Sequence, residues 1–166
     1  MATSGRPALD FPAAKGLRVG VVVTQWHSDI TDQLLDRAVW AATEAGAVTP
    51  TVVRVPGAME LPVVAQALAA GHEAVVALGV VLKGETAHFD YVCDAANSGL
   101  ARVSLDAGIA VGNGVLTVNT IEQAIARAGG PGATEDKGAE SMIAALQTAL
   151  VLRELRGTAG RMGFGT

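Results

Sequence analysis

Apolar positions along this chain repeat with two periods, one suited to strands and one to helices. Arg18 to Thr24 (R-V-G-V-V-V-T) is a nearly unbroken β-branched run, the pattern of a parallel strand covered on both faces. Ile30, Leu34, Leu35, Ala38 and Val39 then recur at helical spacing, with Ser28 and Asp29 as candidate N-caps and Gly46 as the stop. Thr51 to Val55 predicts a second strand, broken by Pro56-Gly57 ahead of a short helix that opens near Pro62 and ends at Gly71. The third strand, Ala74 to Leu82, is the most apolar; a Gly-containing turn and a helix from about Tyr91 to Asp106 follow it. Ala110 to Leu116 predicts the fourth strand. Thr120 and Gln123 are spaced as a capping box for the next helix, Gly129-Gly130-Pro131-Gly132 stops it, and a final amphipathic helix runs from about Asp136 to Leu155.

The order β-α-β-α-β-α-β-α-α, with right-handed crossovers, leaves few architectures. We expect a single-domain α/β three-layer sandwich, flavodoxin-like in kind, with a four-stranded parallel sheet. The domain is expected over residues 16–156. Residues 1–15 and 157–166 are rich in Gly, Ala, Pro and Thr and read as a flexible arm and tail, the arm being free to dock on a neighbour.

Composition narrows the function classes. A length of 166 residues fits one domain. Half the residues are hydrophobic and 17% are charged, which excludes disorder and coiled coil. A net charge of −4 gives no basic footprint for nucleic acid, and no apolar run approaches the ~20 residues of a membrane span. Cys93 is the one cysteine, makes no intrachain disulfide, and fits a reducing cytoplasm. So large an apolar share in so short a chain points to a homo-oligomer.

Ligands of open parallel sheets bind beyond the carboxyl ends of the strands, which singles out four segments. Gln25, Trp26 and His27 follow the first strand; Pro56 to Glu60 follow the second; Lys83 to Phe89 follow the third; Asn113 and Gly114 accompany the fourth. Trp26 either stacks on a planar heterocycle or plugs the end of the sheet. Glu60 either complements a helix dipole or accepts hydrogen bonds from a polyol or amine. Gly84-Glu85-Thr86 is a turn whose amides and hydroxyl suit a phosphate, or a plain strand-to-helix connection. His88, two residues on, could exchange protons with whatever that turn holds. His72 reads as a solvated loop residue and Trp40 as packing. Arg127 and Lys137 flank the Gly-Pro-Gly break; surface charge is their plain reading, although a lysine in a helix's first turn is electrostatically unfavourable and hints at another task. There is no P-loop, no dinucleotide fingerprint, no zinc spacing and no Ser-His-Asp pattern. Taken alone, these residues support no more than a phosphate-binding module.

Four segments together carry a resemblance: P-G-A-M-E-L-P (Pro56 to Pro62), L-G-V-V-L-K-G-E-T-A-H-F-D-Y-V (Leu78 to Val92), N-G-V-L-T-V-N-T (Asn113 to Thr120), and E-Q-A-I-A-R-A-G followed by D-K-G (Glu122 to Gly129, Asp136 to Gly138). In this order and spacing the chain resembles the lumazine synthase family over most of its length. The resemblance implies a cofactor-free transferase of riboflavin biosynthesis. It would condense 5-amino-6-(D-ribitylamino)uracil with 3,4-dihydroxy-2-butanone 4-phosphate, releasing phosphate and water. Trp26 matches the aromatic that stacks on the pyrimidine. Ala58, Met59 and Glu60 match the ribityl-binding segment, and Val80, Val81 and Leu82 the strand end that reads the pyrimidine edge. Gly84, Glu85 and Thr86 match the phosphate turn, and His88 the proton-transfer residue. Asn113, Arg127 and Lys137 match positions that reach the site from an adjacent subunit. Asn113 departs from the family, where an aromatic is common. The length of Gly130 to Thr134 resembles pentameric members, so a homopentamer is expected, and the N-terminal arm in the family often extends a neighbour's sheet.

Overall fold

The computed structural model describes residues 8–161, with side chains as far as Thr158. Strands β1 (Val19–Thr24), β2 (Thr51–Val55), β3 (Ala74–Leu82) and β4 (Ala110–Val118) form one parallel sheet in the order β2-β1-β3-β4. Around it lie α1 (Ser28–Glu44), α2 (Leu61–Ala69), α3 (His88–Ala107), α4 (Ile121–Ile125) and α5 (Lys137–Arg161). This is the expected three-layer flavodoxin-like arrangement.

Because successive side chains point to opposite faces of a strand, each inner strand feeds two cores. Val21, Val23, Val76 and Leu78 join Leu34 of α1 and Leu146 of α5 on one face. Val22, Val75 and Ala77 join Leu61 of α2 with Ala96 and Leu100 of α3 on the other. Double coverage is why β1 and β3 read as continuous apolar runs rather than alternating ones. The edge strand β4 does alternate: Ala110, Gly112, Gly114, Leu116 and Val118 are buried, whereas Asn113 and Thr117 are exposed. It therefore runs two residues beyond the expected end at Leu116, and Asn113 sits near its middle, as in the expected range. Asn113 and Thr117, on the face that α3 covers only partly, dilute the apolar signal.

Helix boundaries show the other differences. α1 is capped by neither Ser28 nor Asp29. His27 precedes it in the left-handed region at φ 55°, and the His27 carbonyl accepts hydrogen bonds from the N–H groups of Ile30 and Thr31. α3 begins at His88, three residues before the expected Tyr91. α4 is barely more than a turn. Thr120 Oγ1 accepts from Gln123 N–H at 3.4 Å, while Gln123 Oε1 reaches Asn119 N–H at 2.9 Å, so the reciprocal bond falls one residue early. α5 continues to Arg161, past the expected end of the domain at residue 156. On the N-terminal side, the Phe11 ring meets Trp40 edge-on at 5.2 Å and buried Ala14 bonds to the Ala45 carbonyl. Part of the expected arm is thus docked on the chain's own α1, which confirms Trp40 as a packing residue. Residues 1–7 and 162–166, the rest of the expected arm and tail, lie outside the described residues.

α1 and α5 cross very closely. A Cβ at Gly138 would stand 2.3 Å from the Leu34 carbonyl oxygen, so the first turn of α5 reaches its seat only because that residue has no side chain. Among the described residues no helix is long and apolar enough to cross a membrane.

Candidate active site

With this strand order the connections reverse direction between β1 and β3, and the crevice beyond their carboxyl ends is where a ligand fits. Gln25 N–H bonds to the Val55 carbonyl at 2.9 Å, which holds the ends of β1 and β2 together. The left-handed His27 then turns the chain sharply into α1, at a strain cost of order 1 kcal/mol. Trp26 is left 69% exposed, with the His27 ring 6.4 Å away. It therefore does not plug the sheet, and its indole face is open for stacking. After β2, residues Ala58–Glu60 form a single 3-10 turn. Glu60 Oε2 accepts from Gly57 N–H at 2.9 Å. A Cβ on Gly57 would lie 3.3 Å from that oxygen and 3.8 Å from Trp26 Cδ1, so indole and carboxylate flank the same glycine. Met59 is exposed beside them, while Ala58 is buried and has only its backbone to offer.

At the end of β3, Val80 is buried and Val81 and Leu82 are half-buried. Lys83 N–H continues the ladder to the Val118 carbonyl. Gly84, Glu85 and Thr86 then form an open, exposed turn, and exposed His88 starts α3. Amides from Gly84 to Phe89 donate no hydrogen bond among the described residues. Unpaired N–H groups at the start of a 20-residue helix attract anions through both hydrogen bonding and the helix dipole.

The remaining site residues sit elsewhere, on β4, on the α4–α5 loop and at the first position of α5. That loop folds back as a small hairpin. Thr134 and Glu135 N–H both bond to the Ala126 carbonyl, Gly129 N–H to Glu135 O, and Lys137 N–H to Arg127 O, with Ala128 paired to Asp136. Arg127 Nη1 donates to the Gln123 carbonyl at 2.9 Å, and its Nε lies 3.5 Å from Glu135 Oε1. Lys137 Nζ is held by Glu135 Oε2 at 2.7 Å and Glu140 Oε2 at 2.8 Å. Burial pulls the Lys137 ammonium pKa down, but hydrogen bonds and charge from Glu135 and Glu140 outweigh it and hold the pKa above its ordinary value. Lys137 is thus cationic at neutral pH. The plain reading of these two cations as solvated surface charge is wrong: both face a carboxylate that is 6% exposed.

Asn113 and Lys137 line one depression of about 340 Å³ between β4 and α5, together with Glu140 and Ser141. The Asn113 amide is committed, its Nδ2 donating to Asn97 Oδ1 at 2.6 Å and its Oδ1 accepting from Val115 N–H. The fold thus gathers Trp26, Glu60, the Gly84 turn and His88 at one set of strand ends, and Asn113, Arg127 and Lys137 in a second group.

Sequence reasoning passed over Glu135 and Glu140. An acid directly before Asp-Lys-Gly in a Gly-Pro loop was the available signal, since a carboxylate beside two cations is more than a solubilising charge. His72 also departs from expectation. Its Nδ1–H donates to the Leu68 carbonyl at 2.7 Å and its Nε2 meets Thr51 Oγ1 at 3.0 Å, so it ties α2 to β2 rather than facing solvent. Burial and the charge of Asp90 push the half-buried Cys93 thiol up, which keeps it protonated.

The chain was compared with known proteins. The family model described as 6,7-dimethyl-8-ribityllumazine synthase matches residues 16–153. A protein of that name from Saccharopolyspora erythraea is 60% identical over 164 residues, covering 99% of each chain. Another from a Mycobacterium species is 61% identical over 154 residues, 93% of this chain and 96% of its own. A third, from Corynebacterium glutamicum, is 56% identical over 160 residues, 96% of this chain and 100% of its own. By a family match over most of its length and near-full-length relatives of that one name, the chain belongs to the 6,7-dimethyl-8-ribityllumazine synthase family.

Proposed function

We propose that this chain condenses 5-amino-6-(D-ribitylamino)uracil with 3,4-dihydroxy-2-butanone 4-phosphate in pockets shared between adjacent copies of itself, as a cytoplasmic homopentamer. The observation that carries the shared pocket is the division of the site residues into two groups on one chain, with an uncovered surface between sheet edge and α3. Val111 and Val115 are only half-buried on the open face of β4, and Leu105 of α3 is 82% exposed. Apolar surface of that kind suits a second copy. A neighbour seated there brings its Trp26, Glu60 and His88 toward the first copy's Asn113, Arg127 and Lys137. The open edge of β2, where Val52 is exposed, suits a neighbour's N-terminal arm.

Each residue type fits a step. Stacking on Trp26, hydrogen bonds accepted by Glu60, and the backbone of Ala58 and Met59 hold the pyrimidine and its ribityl chain, while the backbone of Val80, Val81 and Leu82 reads the ring edge. Imine formation between an amine and a ketone then needs proximity more than a protein nucleophile. His88 moves protons as the carbinolamine loses water and as phosphate is eliminated. The Gly84-Glu85-Thr86 amides, with Arg127 and Lys137 of the neighbour, stabilise the departing phosphate dianion.

The direct test combines the two substrates with purified protein and follows lumazine fluorescence, beside a solution mass. Turnover and a mass of five subunits are expected. A monomer that turns over would end the shared-pocket reading, and a pentamer without turnover would end the catalytic one. In Trp26→Ala the KM for the pyrimidine should rise about tenfold, from lost stacking and apolar contact, with the KM for the phosphorylated ketone changed little. An equal rise in both would count against stacking.

A further inference from the structure

Glu135 is a buried carboxylate with no part in the chemistry above, and burying a charge is costly unless it is paired. Here it is paired twice. Oε2 lies 2.7 Å from Lys137 Nζ, and Oε1 lies 3.5 Å from Arg127 Nε. Arg127 is held at a second point by Nη1 on the Gln123 carbonyl, and its Nη2 donates no hydrogen bond among the described residues. Two tethers on one planar guanidinium fix its orientation and leave one edge uncommitted. The backbone beneath is set independently, by the hairpin bonds of residues 126–137 and by Asp136. Asp136 caps Ala139 N–H and pairs with Arg37 at 2.7 Å.

We propose that Glu135 is the positioning residue for Arg127, aiming the free edge of its guanidinium at the phosphate of the butanone substrate. This rests on the reading of Arg127 as a phosphate ligand. A competing electrostatic effect has the opposite sign, because a carboxylate beside a phosphate site repels the dianion. Geometry decides between them. Glu135 sits closer to Lys137 than to Arg127, so its charge is largely compensated before it reaches the ligand. What its removal takes from Arg127 is orientation, on which bidentate phosphate recognition depends.

Glu135→Gln keeps the shape and removes the charge. Its KM for the phosphorylated ketone should rise on the order of tenfold, the scale of one well-placed charge-assisted hydrogen bond. The KM for the pyrimidine should change less than twofold, a split that a general loosening of the fold would not produce. Arg127→Ala is the reference, expected to raise the same KM at least as much. Adding Glu135→Gln to Arg127→Ala should then raise that KM less than Glu135→Gln does alone, the remainder being what Glu135 does through Lys137; an undiminished rise would overturn positioning of Arg127. If Arg127→Ala leaves that KM unchanged, the phosphate reading fails. If Arg127→Ala raises it while Glu135→Gln leaves it unchanged or lowers it, positioning by Glu135 is overturned. Should Glu135→Gln not assemble, Glu135→Asp decides on the same ratio, with a rise of several fold expected because the carboxylate is withdrawn by one methylene.

Discussion

His88→Ala should lower kcat by about 10² to 10⁴ while leaving assembly and melting temperature close to those of the parent. The rate range is that of a positioned general acid–base group. Two features of the residue separate chemistry from folding. Its side chain is exposed in the single chain, at the first position of α3, so truncation opens no cavity. Nor does it cap the helix, since the Ala87 carbonyl accepts the first turn's hydrogen bonds from Asp90 and Tyr91. Single-turnover measurements with both substrates saturating are the appropriate readout, because they report the chemical step rather than product release. A kcat within threefold of the parent would remove His88 from the mechanism and leave stacking and phosphate stabilisation to account for the rate.

Gly138→Ala should be among the most damaging changes of a single methyl group, with a loss of about 3 kcal/mol. The new Cβ would stand 2.3 Å from the Leu34 carbonyl oxygen and 2.9 Å from Arg37 Cβ. Both obstacles belong to the body of α1, and neither is a flexible side-chain end that could swing aside. α5 must lift away instead. That disturbs a core in which Leu34, Met142 and Leu146 are fully buried. In a chain of this size the loss corresponds to a fall of roughly 6–12 °C in Tm. Lys137 and the Arg37–Asp136 ion pair flank the same contact, so the surviving folded protein should also bind the phosphorylated ketone more weakly. A Tm within 2 °C of the parent would show that the helices can part at little cost.

The two substitutions differ in what the sequence could disclose. His88 is legible because it follows an unmistakable buried strand and a Gly-containing turn, so its place at a strand's carboxyl end follows from chain order. Gly138 is legible only as part of the Asp-Lys-Gly motif. Its physical purpose, the close crossing of α1 and α5, depends on residues about a hundred positions apart. Asn113 falls between these cases: the strand is legible, but its end is misplaced because α3 covers one face of β4 only partly and leaves Asn113 and Thr117 exposed there.

Periodicity and punctuation were enough to determine the four strands, their parallel crossover connections, and which residues gather at the carboxyl ends of β1, β2 and β3. Those are consequences of local rules, the two-residue repeat of a strand and the 3.6-residue repeat of a helix, and they are written in neighbouring letters. Tertiary structure alone decided that His27 would turn left-handed, that Trp26 would stand open, and that Glu135 would be buried between Arg127 and Lys137. Such outcomes are set by which surfaces meet and how much water they exclude, quantities that no stretch of adjacent residues encodes.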